Sequence, residues 1–132
     1  MDKTFAFEST ASVGDLALTF REVVQKTKAP GRGFMANRMA GSVRFYTPNS
    51  SDDPFAQMGP QPDFEVVAEV PLTGGFSVDV VTIMLCVYDL QTTRRAVVVL
   101  DGPSVRRAGS RYADALRDGF RKLDPGLEML QV

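Results

Sequence analysis

With 132 residues, 44% of them apolar, the chain is long enough for one domain with a real core, too short for two, and too apolar to stay disordered. A single cysteine rules out an internal disulfide, and the lack of histidine removes the commonest general base and metal ligand, so no metal site or cofactor is expected. The net charge of -1 selects no partner class.

Thr4 to Glu8 alternates apolar and polar residues, Ser9 to Asp15 supplies turn chemistry, and Leu16 to Arg21 alternates again. Period-two alternation around a turn predicts an N-terminal β-hairpin. Leu16, Phe20, Val23 and Val24 equally fit the i, i+4, i+7, i+8 stripe of a helix. On the hairpin reading, Val23 to Lys28 extends the second strand or forms a short third one. Ala29-Pro30-Gly31 breaks it, and Gly41 to Thr47 is a strand with Val43 and Phe45 on one face and Ser42, Arg44 and Tyr46 on the other.

Pro48 to Pro62 is a long loop with four prolines, in which Phe55 and Met58 stand out as candidate assembly contacts. Phe64 to Val70 is the clearest strand, with Phe64, Val66, Ala68 and Val70 pointing one way and Glu65, Val67 and Glu69 the other. Pro71 and Thr73-Gly74-Gly75 end it. Phe76 to Tyr88 is a long strand, apolar nearly throughout from Val80, and a strand without alternation is covered on both faces. Its apolar run is too short to span a bilayer, and Met1-Asp2-Lys3 begins no signal-peptide pattern, so no membrane contact is expected. Arg95 to Leu100 is a further strand.

Ser104 caps a helix running to about Leu123, with Val105, Ala108, Tyr112, Ala115, Leu116, Phe120 and Leu123 on one stripe. Leu127 to Val132 is an apolar tail expected to dock on the core or on a neighbour. These elements give one α+β domain over residues 1–132: an N-terminal hairpin, an antiparallel sheet of about five strands and a C-terminal helix.

Charge is patchy. Arg21 to Arg44 holds six basic residues and one acid, and Ser104 to Lys122 holds six against Asp114 and Asp118. Such patches suit a polyanion or self-association. Catalytic pairs are missing: no histidine activates the hydroxyls, and Glu65 and Glu69, four apart on a strand, are roughly 13 Å apart, too far for a paired-carboxylate site. A non-enzymatic protein is expected.

Phe5-Ala6-Phe7 followed by Gly14-Asp15, then Ser42-Val43-Arg44, then Ala68-Glu69-Val70-Pro71 occur in the order and at about the spacing found in the coat proteins of small single-stranded RNA bacteriophages, the leviviruses. The chain resembles that family over roughly residues 4 to 90 and in total length. The resemblance implies a structural capsid protein that forms a dimer with one continuous ten-stranded sheet and helices lying across the partner. It implies that dimers assemble into an icosahedral shell, and that the inner sheet face binds and packages single-stranded genomic RNA. It also implies a virion protein assembled in the bacterial host cytoplasm. On that reading Arg44 pairs with phosphate, Tyr46 stacks on a base, and Ser42 and Thr82 complete the RNA face. Here the matching face holds Glu65, Val67 and Glu69 where the family carries lysines among its RNA-facing positions. The alternative is a small α+β ligand- or nucleic-acid-binding domain in which Leu16 to Gln25 is helical.

Overall fold

The computed structural model of the chain describes residues 3–27, 43–47, 62–74, 77–102 and 105–131. Six strands and two helices follow one another as β1 (Lys3–Ser9), α1 (Val13–Lys26), β2 (Arg44–Tyr46), β3 (Phe64–Gly74), β4 (Ser77–Asp89), β5 (Arg94–Asp101), α2 (Val105–Leu123) and β6 (Glu128–Leu130). The strands form one antiparallel sheet in the order β2-β3-β4-β5-β1-β6. The α+β class, the antiparallel sheet and the C-terminal helix are as expected from the sequence.

The N-terminal hairpin is corrected. Residues 13–26 are helical, and the turn chemistry at Ser12 to Asp15 is a helix start: the Ser12 hydroxyl accepts from the Asp15 amide at 3.1 Å, and Asp15 sits in the first turn, where the helix dipole favours an acid. The helical stripe prevailed over the alternation because it buries Leu16, Phe20 and Val24 completely. Each such side chain is worth about 1.5–3 kcal/mol when removed from water. A strand over Leu16–Arg21 would have put Leu16, Leu18 and Phe20 on one face, whereas the helix buries Leu16 and Phe20 and leaves Leu18 56% exposed.

Both helices cover one face of the sheet. Beneath them lie Phe5 and Phe7 of β1, Val66, Ala68 and Val70 of β3, Val81, Ile83, Leu85 and Val87 of β4, and Ala96, Val98 and Leu100 of β5, all buried in one core. Tyr112, Ala113, Leu116 and Phe120 close it from α2. The rings of Phe120 and Phe7 lie 4.7 Å apart. The helices touch closely at Gly119, where a Cβ would come within 2.6 Å of Val23 Cγ2, so glycine sets their approach. Tyr112 donates its hydroxyl to the Thr27 carbonyl at 3.3 Å and joins the middle of α2 to the end of α1. The C-terminal helix therefore packs on the sheet of its own chain.

The apolar tail docks at home: Glu128–Leu130 extends the sheet beyond β1. A polar lock fixes this corner. The buried Ser9 hydroxyl donates to Asp124 Oδ2 at 2.7 Å, the Thr10 amide donates to the same oxygen at 3.1 Å, and the Gly126 amide donates to Oδ1 at 3.0 Å. The Ser9 hydrogen bond, ahead of the backbone ones, holds the Asp124 carboxyl below its ordinary pKa. A native carboxyl more acidic than in the unfolded chain contributes fully above the unfolded pKa, and that contribution is lost as pH falls through the native one. Asp124→Asn should therefore melt below the wild type at neutral pH, with the gap narrowing as pH falls below the unfolded carboxylate pKa of about 3.9. Thermal melts across that range check this; a constant gap would contradict it.

Candidate interaction face

The register places every second residue of the sheet on the face opposite the helices; four rows of them cross four or more strands, and the β3–β4 ribbon continues beyond with Pro71 paired to Val80. One outer row reads Arg44, Glu69, Thr82, Asp101 across β2, β3, β4 and β5. The next reads Tyr46, Val67, Met84, Val99, Thr4. The third reads Glu65, Cys86, Val97, Ala6, Leu130, and the last Tyr88, Arg95, Glu8, Glu128. The two middle rows make an apolar belt across the sheet, and the two outer rows make charged rims.

The belt is only partly shielded by its own neighbours. Val67 and Ala6, on β3 and β1 toward its two ends, are buried, while Met84, Cys86, Val97, Val99 and Leu130 are partly buried and no element of the described chain lies over them. Burial, followed by the nearby Glu65 carboxylate, pushes the Cys86 thiol up to about 11. Burial first, and then Cys86 and Glu65, also raises the Tyr88 phenol. Both groups are therefore neutral at physiological pH, and a thiol so strongly protonated is a poor nucleophile and metal ligand. Among the described residues no cluster of three or more His, Cys, Asp or Glu side chains is placed to hold a metal ion.

The rims are mostly acidic. Arg44 pairs with Glu69 at 3.0 Å across β2 and β3, and its guanidinium lies 5.6 Å from the centre of the Tyr46 ring. Arg95 pairs with Glu8 at 2.8 Å across β5 and β1. Both pairs are neutral, and Glu65 and Glu128 add further carboxylates to the face.

Arg44, Tyr46 and Thr82, the RNA-binding candidates within the described residues, all lie on this one face, Arg44 and Thr82 in the same row on either side of Glu69. Ser42, Phe55 and Met58 lie outside the described residues. The positions that sequence reasoning did not assign are Val97, Val99, Met84, Cys86 and Leu130. The unalternating runs in β4 and β5 carried a signal for them, but only the register shows that they form one belt.

A second feature lies at the β2 edge. Ala17 and Leu18 of α1 and Phe45 of β2 border an open hollow of about 440 Å³. Arg21 of α1 lies 4.9 Å over the Phe45 ring, and Leu18 is 56% exposed. No helix of the described residues is long and apolar enough to cross a membrane. No known family matches the chain, and no curated protein and no solved structure is significantly similar to it.

Proposed function

We propose that this chain is a structural protein of the coat type, whose copies associate with one another into a shell that packages single-stranded RNA. On this reading it is not an enzyme, and its working form is the virion of an RNA bacteriophage assembled in the bacterial cytoplasm. The observation that carries the proposal is the one-sided sheet. Both described helices lie on a single face, and no described element lies over the apolar belt of the other. Contiguous exposed apolar surface of this kind marks a site of association. Of the ordered coat-protein-like motifs, Ala68 to Pro71 lies on a strand as the resemblance implies, while Phe5 to Asp15 leads into α1 instead of an opening hairpin. The electrically patchy sequence adds a reason to expect a polyanion within the assembly.

Electron microscopy of the protein purified from a bacterial host tests this directly, together with the ratio of its absorbance at 260 and 280 nm. The expected result is closed particles of uniform size that carry nucleic acid. A monodisperse monomer free of nucleic acid would overturn the proposal and favour a small ligand-binding domain that uses the hollow beside α1.

A further inference from the structure

We infer that the uncovered sheet face is the surface through which two copies of this chain associate, packed face to face. The inference rests on the self-association part of the proposed function and names the surface that carries it.

Three observations support a second copy over a nucleic acid. The first is the arrangement of the rows. An apolar centre ringed by charged residues is how protein–protein interfaces are built, whereas surfaces that take nucleic acid are polar and strongly basic. Here the centre is Met84, Cys86, Val97 and Val99, and the face holds five carboxylates against Arg44 and Arg95. Both arginines already sit on carboxylates, so phosphate would have to displace Glu69 or Glu8 to reach them.

The second observation is area. Six strands about 4.8 Å apart and four rows about 6.6 Å apart give a face of roughly 600 Å² per copy, or roughly 1,200 Å² for a pair, enough for a specific interface. The third is the state of the sheet edges. Among the described residues β2 and β6 are the edge strands, three residues long each, and short edges discourage pairing between sheets. Association by face uses what the edges do not offer. Two such faces interdigitate at about 10 Å as in a β-sandwich, with the helical layers outward.

Charge adds a signature. Two copies of a net-acidic face repel, so screening by salt strengthens their association, whereas salt weakens the binding of any basic partner. Cys86 at the centre of the belt serves as a native reporter.

The test measures maleimide labelling of Cys86 in the full chain from about 0.1 µM to about 100 µM protein, a range matched to interfaces of this size. It is run at low and high salt, with and without a 20-nucleotide poly-uridine RNA, and with sedimentation velocity in parallel. Because its thiol is held protonated, Cys86 reacts slowly throughout, and the ratio of rates is what counts. The expected result is labelling that slows at least tenfold as concentration rises, at a midpoint that falls with added salt. Oligomers that leave Cys86 equally reactive would overturn this face while leaving self-association standing. Monomers at every concentration would overturn both. Protection that appears only with RNA would assign the face to nucleic acid, and concentration-dependent protection that salt weakens would contradict the pairing of two like-charged faces.

Discussion

Phe120→Ala is expected to lower stability by about 3–5 kcal/mol, because the ring is 1% exposed and its removal leaves a cavity between α2 and β1 that the chain fills poorly. Phe7, the ring it faces, is fully buried and fixed within a strand paired on both sides, so it cannot follow α2 inward. A domain with about 5–15 kcal/mol in all loses a large share of it. Chemical denaturation monitored by circular dichroism should show the midpoint fall with the slope unchanged. Leu18→Ala is the control. Its side chain is 56% exposed on α1, and the change should stay within about 0.5 kcal/mol. Equal losses at the two positions would mean that α2 does not close the core.

How much of this fold the sequence disclosed depended on whether the signal was local. Phe64 to Val70 reads correctly as a strand because inward Phe64, Val66, Ala68 and Val70 alternate with Glu65, Val67 and Glu69, but Pro71 does not end it: Pro71 pairs with Val80 and β3 runs on to Gly74. The C-terminal helix reads correctly because Tyr112, Leu116 and Phe120 repeat at four-residue intervals. Leu16 to Arg21 fits both periods, and tertiary burial of Leu16, Phe20 and Val24 decided in favour of the helix. The Ser9–Asp124 lock joins residues 115 positions apart, and neither residue has a local pattern that announces it. The long strand was expected to be covered on both faces. Within the chain Val81, Ile83, Leu85 and Val87 are covered by helices, while Thr82, Met84, Cys86 and Tyr88 face outward, and this contrast is the origin of the association claim.

The candidate site was only half legible. Arg44, Tyr46 and Thr82 were assigned to one face, and they share it. Their surroundings were less visible, because the pairing of β5 with β4 and β1, which brings Val97 and Val99 beside Cys86 and Met84, is a property of the register. A sequence gives the parity of a strand residue but not its neighbour across the sheet.

Val97→Asp should separate the copies without unfolding them. Val97 lies mid-belt between Cys86 and Ala6, only partly buried in the single chain, so a carboxylate there remains hydrated in the monomer. Buried between two faces it would lose that hydration, and Arg95 in the next row is already paired with Glu8, so the penalty is several kcal/mol and more than a hundredfold in affinity. Met84→Glu, one row away on β4, should act in the same way and guards against a local effect at one site. The deciding measurement is sedimentation velocity of the wild type and Val97→Asp at matched concentration, with circular dichroism confirming that both are folded. The account predicts dimers or larger species for the wild type and a folded monomer for Val97→Asp; a variant that assembles as the wild type does would contradict it.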